Sequence, residues 1–256
     1  MTQDFVRVRV EEGIAWLTMS EPQRLNPVTL ARIAELHRAA MELSARDDVR
    51  VVVVTGEGRG FCSGADITDP ELRTTPIFAP ASGSLAADSD GVWTLRAVRQ
   101  PVIAMVNGAA VGYGCELALQ ADIAVAAASA RFSLPFARLG TVTDTGAGTW
   151  LLPRLVGHQV AAELLFTGRF VSAAEAVQLG LVTRAVPDDD LIPTTRALAE
   201  SIASNAPESL YALKRMLIRG SEQDAAAHTL LQYGYFNSMR ADLDTALARL
   251  ARKDRG

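Results

Sequence analysis

The chain has 256 residues, 49% of them hydrophobic and 21% charged, a composition typical of a globular protein with at least one large core. Its 25 basic and 29 acidic residues are interspersed and give a net charge of −4, so no basic stripe indicates nucleic-acid binding. No apolar run approaches the roughly 20 residues of a membrane span, and the amino-terminal segment lacks an apolar signal core. We therefore expect a cytoplasmic protein with neither nucleic acid nor a membrane as partner.

The cysteines and histidines argue against a metal centre. Cys62 and Cys115 each sit in a glycine-rich turn rather than in a metal-ligand spacing, and two cysteines fit a reducing compartment. His37, His158 and His228 lie far apart and lack the close spacing of a metal motif. We expect neither a bound metal nor any other resident cofactor.

The first elements follow clear hydrophobic periods. Residues 6–20 alternate apolar and polar side chains on both sides of a Glu-Gly pair, which predicts a β-hairpin. An amphipathic helix is predicted after Pro27, with Thr29 as a candidate cap. The continuous valines of 49–56 then indicate a strand that is covered on both faces.

The same order of elements recurs further along the chain. Residues 101–108 form a second apolar strand that enters a glycine-rich turn and a helix, and 121–134 predict a pair of strands. This repetition favours an α/β protein of stacked ββα or βαβ units, assigned to residues 1–190. Residues 191–256 are helical in pattern and predict a carboxyl-terminal subdomain. Residues 68–90, rich in Pro, Ala, Ser, Thr and Asp, predict a loop over a pocket.

Two glycine-rich turns follow apolar strands. The first, VTGEGRGFCSGAD (54–66), resembles a dinucleotide-binding turn, but Phe61 stands where the third glycine of that motif belongs. A purely structural turn is the alternative. The second, VGYGCELA (111–118), places the carboxylate of Glu116 among glycine and apolar residues. Both lead toward helix starts, where unpaired backbone N–H groups bind anions, and two such donors from separate loops make an oxyanion hole.

Several ordered motifs resemble one family. The stretches GRGFCSGAD, PVIAMVNGAAVGYGCELALQADIAVA and FSLPFARLGTVTDTGAGTWLLPRLVG are similar to those of the enoyl-CoA hydratase/isomerase (crotonase) family. RLNPVTL, TGRFVSAAEAVQLGLVTRAVP and APESLYALKRML extend the resemblance over about residues 5–220. It implies a crotonase-like spiral of repeated ββα units with a helical carboxyl-terminal subdomain. It also implies an acyl-CoA substrate, with CoA as part of the substrate rather than a cofactor.

The resemblance assigns roles by position. Ala65 and Tyr113 match the residues whose backbone N–H groups hold the thioester oxygen. Glu116 matches the first catalytic carboxylate, in the first turn of a helix where the macrodipole favours an anion. A satisfied carboxylate that caps this helix is the alternative.

The CoA and acyl contacts are assigned in the same way. The adenine would pack on the backbone near Ala65, Asp66 and Ile67. Arg24 and Arg59 are candidates for phosphate contacts, although a solvated role for each fits equally well. Trp93 and Phe136, together with the loop 68–90, are expected to shape the acyl pocket.

The second acid departs from the hydratase pattern. Hydratases carry a glutamate after the proline of the matching tripeptide, where this chain has Phe136, which cannot transfer a proton. Asp144 stands where some isomerases of the family carry an aspartate. An Asx turn beside Gly146 is the alternative role for Asp144.

These residues favour isomerisation of an enoyl- or dienoyl-CoA by Glu116 with Asp144. Hydration with Asp144 as a non-standard second acid remains open, as do a non-catalytic CoA-ester-binding protein and a thioesterase. The resemblance further implies a homotrimer or a dimer of trimers. An apolar-aromatic stripe in the tail suits such packing or, equally, a core within one chain; its residues are Tyr233, Tyr235, Phe236 and Met239.

Overall fold

The computed structural model describes residues 4–71, 93–220 and 223–239. The described residues fall into two compact units, the first ending at Ile202 and the second beginning at Ala203. The part of the predicted loop from residue 72 to residue 90 lies outside the described residues.

All the named strands lie in the first unit. They are β1 (Val6–Glu11), β2 (Ile14–Met19), β3 (Val51–Gly56), β4 (Gly60–Cys62), β5 (Val102–Val106), β6 (Ala109–Val111), β7 (Ile123–Ala127), β8 (Arg131–Ser133), β9 (Val171–Ser172) and β10 (Arg184–Val186).

The helices that begin in the first unit are α1 (Leu30–Ser44), α2 (Thr94–Ala97), α3 (Tyr113–Leu119), α4 (Ala147–Trp150), α5 (Leu152–Val156), α6 (His158–Thr167), α7 (Ala173–Leu179) and α8 (Leu191–Ala203). Short 3-10 turns cover Pro22–Arg24, Ala137–Leu139 and Asp188–Asp190.

A six-stranded sheet forms the centre of the first unit, in the order β1-β2-β3-β5-β7-β10. β1 and β2 form the predicted antiparallel hairpin, and the remaining neighbours are parallel. Every residue of β3 and of β5 is buried, as continuous apolar runs in a covered parallel sheet should be. The hairpin and both buried strands therefore confirm the sequence prediction.

A second, four-stranded sheet has the order β4-β6-β8-β9 and brings the two glycine turns together. The strand pair predicted over 121–134 exists as β7 and β8, but these strands do not pair with each other. β7 lies between β5 and β10, whereas β8 lies between β6 and β9. The chain crosses from one sheet to the other between them, and local periodicity carries no information on such partners.

Helix α1 follows the predicted pattern. The Thr29 side chain accepts a hydrogen bond from the backbone N–H of Arg32, so Thr29 is the amino-terminal cap. The apolar stripe of α1 is buried, as helical spacing requires; the buried residues are Ile33, Leu36, Ala40 and Leu43.

The described part of the second unit is helical, with α9 (Pro207–Gly220) and α10 (Ala225–Met239). Among the helices described in either unit, none combines the length and the hydropathy needed to cross a membrane. Mixed sheets and a helical carboxyl-terminal part make this the predicted α/β fold class.

Candidate active site

Parallel pairing of β4 with β6 sets the two glycine turns side by side. Gly60 is in register with Ala109, and both strands then run into their turns at the same edge of the small sheet. A Cβ atom on Gly64 would lie 2.7 Å from the carbonyl oxygen of Val111, and one on Gly114 would lie 2.2 Å from that of Cys62. Only glycine permits this approach, so the glycines of the motif hold the turns in direct contact.

Asn26, from the RLN stretch, fixes the start of β4. Its side chain is fully buried and donates hydrogen bonds to the carbonyl oxygens of Gly60 (2.8 Å) and Phe61 (3.3 Å). Its own oxygen accepts from the backbone N–H of Glu21 at 2.8 Å. Its φ of 56° is one that asparagine tolerates better than most residues. The sequence motif thus has a structural role that residue-by-residue reasoning did not assign.

Ala65 sits in an isolated parallel bridge with Val28 rather than at a helix start. Val28 donates to the carbonyl oxygen of Gly64 at 2.9 Å and accepts from the N–H of Asp66 at 2.7 Å. These two bonds use the carbonyl group of Gly64 and the N–H group of Asp66, which are the neighbours of Ala65 in the chain. Within residues 4–71, 93–220 and 223–239, the backbone N–H of Ala65 donates no hydrogen bond.

Tyr113 is the first residue of α3 and follows Gly112, which has a φ of 53°. Gly112 donates to the carbonyl oxygen of Ser133 at 2.9 Å, and its own carbonyl accepts from the N–H of Glu116 at 3.0 Å. Among the described residues no acceptor faces the N–H of Tyr113, as is usual in the first turn of a helix. The described residues therefore use neither of the two backbone N–H groups that the sequence assigns to the oxyanion hole.

The carboxylate of Glu116 is fully buried and held by backbone N–H groups of the segment before and within α4. One oxygen, Oε1, accepts from Gly148 at 2.7 Å, and Oε2 accepts from Asp144 at 2.9 Å and Thr145 at 3.1 Å. Burial raises the pKa of Glu116, while the bonds from Gly148, Thr145 and Asp144 oppose that rise by stabilising the anion. The result is an oriented carboxylate with a raised proton affinity.

The side chain of Asp144 lies near enough to Glu116 for the two charges to interact. Burial and then repulsion from Glu116 raise the pKa of Asp144 to about 7. Its carboxylate accepts no hydrogen bond within the described part of the chain, whereas an Asx turn would need one. The local turn is instead made by the Thr145 hydroxyl, which accepts from the N–H of Ala147 at 3.2 Å.

The segment that carries Asp144 approaches Glu116 through a glycine. A Cβ atom on Gly148 would stand 3.3 Å from Glu116 Oε1 and 2.6 Å from Cγ2 of Thr143. Sequence reasoning did not single out Thr145 or Gly148. Backbone donors carry no residue signature, and the glycines of DTGAGT were the one available signal.

Of the predicted CoA contacts, Arg24 is already engaged. Its guanidinium forms a two-point ion pair with the Asp66 carboxylate, at 2.7 and 3.0 Å. This bond, helped by two from Thr68, holds the pKa of Asp66 well below its usual range. Ile67 is 69% exposed beside it, and Arg59 is also exposed.

The two predicted acyl-pocket residues lie on different elements. Phe136 is buried, and its ring lies 3.9 Å from where a Cβ atom of Gly112 would be, which places it against the second turn. Trp93 precedes α2 and meets Trp150 of α4 edge to face, with ring centroids 5.8 Å apart. The Arg96 guanidinium lies 4.8 Å from the centre of the Trp150 ring. Trp150 was not predicted.

Other features of the described residues lie away from this site. A cleft of about 570 Å³ is lined by none of the predicted site residues. Its lining comes from β1 and the residues before it, the segment after β2, α1 and the residue after β3, and includes Phe5, Arg7, Glu21, Arg32 and Glu57. In the described ranges, no three His, Cys, Asp or Glu side chains are grouped so that they could hold a metal ion.

A six-stranded and a four-stranded sheet, with a buried carboxylate beside two touching glycine turns, define a crotonase-like α/β protein. The chain belongs to the enoyl-CoA hydratase/isomerase family, which it matches over residues 9–251. This confirms the resemblance seen in the sequence.

Individual relatives support the same assignment. The chain is 36% identical over 245 residues to a probable enoyl-CoA hydratase of Mycobacterium bovis, covering 95% of this chain and 93% of the relative. It is also 36% identical over 215 residues to the 1,2-epoxyphenylacetyl-CoA isomerase of Escherichia coli, covering 84% and 82%. The crystal structure of an enoyl-CoA hydratase subunit from Geobacillus kaustophilus has a TM-score of 0.85 at 32% identity, covering 97% and 95%. The predicted crotonase-like fold is therefore confirmed.

Proposed function

We propose that this protein moves the double bond of an enoyl- or dienoyl-CoA, with Glu116 as the principal base. The observation that carries the proposal is the carboxylate of Glu116, fully buried, fixed by three backbone N–H groups and adjacent to a second carboxyl group. A fixed base of raised proton affinity beside a two-amide hole suits removal of a proton next to a thioester.

The reaction begins with the thioester oxygen. It accepts hydrogen bonds from the N–H groups of Ala65 and Tyr113, which stabilise the negative charge that develops as an enolate forms. Each well-placed donor of this kind contributes about 3 kcal/mol to the transition state. Glu116 takes the proton from one carbon of the acyl chain, and the electron pair of that C–H bond enters the conjugated enolate.

The second half returns a proton to a different carbon. Either Glu116 or Asp144 delivers it, and the double bond is left in its new position with no water consumed. A pKa of about 7 keeps part of the Asp144 population protonated at neutral pH, as a proton donor requires. Phe136, which stands where hydratases carry their second acid, suits a reaction that adds no water.

The test is turnover of 2-enoyl-, 3-enoyl- and 2,4-dienoyl-CoA, with products separated by chromatography. We expect a shifted double bond as the product, a loss of about a thousandfold or more in Glu116→Gln, and a smaller loss in Asp144→Asn. Glu163→Gln is the matched control, because Glu163 lies on α6 and pairs with Arg169. A Glu116→Gln enzyme within tenfold of the parent would remove Glu116 from the mechanism.

Hydration is the second candidate. A partly protonated Asp144 beside Glu116 gives the site two carboxyl groups, and hydration needs a water held between two such groups. The same 2-enoyl-CoA assay separates the candidates, because hydration yields a 3-hydroxyacyl-CoA whose mass exceeds that of the substrate by one water.

The assembly proposed from the sequence, a homotrimer or dimer of trimers, also suits exposed side chains of α10. Tyr233 is 59% exposed and Phe236 is 63% exposed. We expect light scattering to give a mass of three or six chains, and a smaller mass for Tyr233→Ser combined with Phe236→Ser. A monomeric parent protein would contradict the proposal.

A further inference from the structure

The side chain of Tyr113 has no role in the chemistry described so far. The oxyanion hole needs only its backbone N–H, for which a glycine would serve. Yet the tyrosine side chain is 1% exposed. Tyr113 is three residues before Glu116 in α3, and residues at this spacing lie on the same face of a helix. The ring is therefore directed to the side of α3 that carries the proposed base.

The hydroxyl of Tyr113 is buried and makes no hydrogen bond of ordinary geometry within the described part of the chain. The side chain of Thr94 lies at the loose limit of hydrogen bonding to this hydroxyl and favours the phenolate slightly. Burial, followed by the groups of Cys62, Glu116 and Asp144, nevertheless raises the pKa of Tyr113 far above its usual range. The group is thus a neutral phenol at every physiological pH, and its O–H can act as a donor.

An unpaired buried hydroxyl is costly, and native structures seldom retain one without a reason. The oxygens of Glu116 already accept from three backbone N–H groups. The partner that the phenol lacks can instead arrive with the ligand, since the acyl chain would pass between the hole and Glu116.

We propose that Tyr113 is a specificity-determining residue, whose hydroxyl donates a hydrogen bond to an oxygen atom carried by the acyl group of the substrate. The substrate class is then an oxygenated acyl-CoA, with a hydroxyl, carbonyl or ether oxygen near the second to fourth carbons. This inference rests on the proposed function only in placing the acyl chain beside Glu116.

Equilibrium binding tests it without turnover. Butyryl-CoA and its 2-, 3- and 4-hydroxy derivatives are titrated by calorimetry into Glu116→Gln and into the same variant carrying Tyr113→Phe. We expect one hydroxy isomer to bind about tenfold more tightly than butyryl-CoA, the ratio that a buried hydrogen bond of about 1.4 kcal/mol gives. In Tyr113→Phe this preference disappears, while butyryl-CoA affinity stays within twofold.

Equal affinities for all four esters before the Tyr113 change, or a preference that survives it, would overturn the proposal. Thermal unfolding supplies a second readout. Because the hydroxyl has no hydrogen bond of ordinary geometry to lose, Tyr113→Phe alone should melt at or above the parent temperature, and a melting point several degrees lower would also overturn it. Thr94→Val is the matched control and should keep the preference. If Glu116→Gln failed to abolish turnover, the proposed function would be refuted. The ratios of the binding affinities would still test the role of Tyr113, because they are measured without turnover.

Discussion

Arg24 and Asp66 form a two-point ion pair, with nitrogen–oxygen distances of 2.7 and 3.0 Å. Asp66 is the neighbour of Ala65, whose N–H is proposed to hold the thioester oxygen. The Asp66 side chain is 7% exposed and also accepts from the N–H and hydroxyl of Thr68. Arg24 therefore holds the Asp66 side chain next to Ala65, and we infer a positioning role as the alternative to the phosphate contact expected from sequence.

Arg24→Lys separates these two roles. Lysine keeps the charge that a phosphate would need but cannot form the planar two-point bond. We expect kcat to fall several-fold as the turn loosens, with KM for the acyl-CoA changing less than twofold. Arg46→Lys is the control, because Arg46 forms an exposed two-point ion pair with Asp48 and is not among the predicted site residues. A raised KM with an unchanged kcat would show instead that Arg24 binds phosphate.

The same ion pair makes a pH-dependent contribution to folding. The folded-state pKa of Asp66 lies below the value of about 3.9 for an unfolded aspartate. Its contribution is thus fully present above pH 4 and is lost as the pH falls further. Urea unfolding of the parent and Arg24→Gln should differ by a constant free energy from pH 5 to 8, and the difference should shrink toward pH 3. A difference that grows on acidification would contradict the assignment.

Folding shifts the pKa of Asp144 in the opposite direction to that of Asp66. Its folded-state pKa of about 7 exceeds the unfolded value of about 3.9, so between these pH values the native state holds a proton that the unfolded chain has lost. The free energy of unfolding therefore falls as the pH rises through this window, by at most about 4 kcal/mol. Asp144→Asn should remove the part of this slope that Asp144 contributes and leave the part that comes from the raised pKa of Glu116.

The activity of Asp144→Asn gives a second measurement. If Asp144 donates the returning proton, kcat/KM of the parent falls above about pH 7, and this limb is missing in the asparagine variant. An unaltered pH profile in Asp144→Asn would show that the limb belongs to another group.

Gly148 controls how closely its segment approaches the proposed base. In Gly148→Ala the new methyl group would meet Cγ2 of Thr143 at 2.6 Å and Oε1 of Glu116 at 3.3 Å. We expect destabilisation of about 1–3 kcal/mol from overpacking and a drop in turnover of tenfold or more. Urea unfolding and steady-state kinetics measure the two effects.

A second substitution makes the Gly148 test specific. Thr143→Ser removes the methyl group that the alanine would meet, so the double variant should recover part of the lost stability. Thr149→Ala, an exposed neighbour in α4, should leave both quantities unchanged. No recovery in the double variant would place the cause elsewhere.

Elements whose buried apolar residues recur at the spacing of a strand or a helix were predictable from sequence. The hairpin of β1 and β2, the valines of β3 and the capped helix α1 are all present because side-chain alternation and capping are local properties. Sheet membership is not local. β7 and β8 were recognised as strands, yet their separation into two sheets depends on partners 20 to 60 residues away.

The candidate site likewise has some residues that the sequence indicates and others that only the fold shows. Glu116 and the two turns were found because a charge among glycines and apolar residues is visible in the sequence. The N–H groups of Thr145 and Gly148 that hold Glu116 belong to the backbone, which every residue shares. The ion pair between Arg24 and Asp66 joins residues 42 positions apart, so only the tertiary fold reveals it.

The contact between the two turns also bears on how the chain refolds to an active protein. The Asn26 side chain, β4, β6 and the segment around Asp144 come together through contacts that join residues 34, 49 and 28 positions apart in the chain. Long-range closures of this kind are slow relative to local helix formation. During refolding, helical circular dichroism should therefore return well before acyl-CoA turnover does.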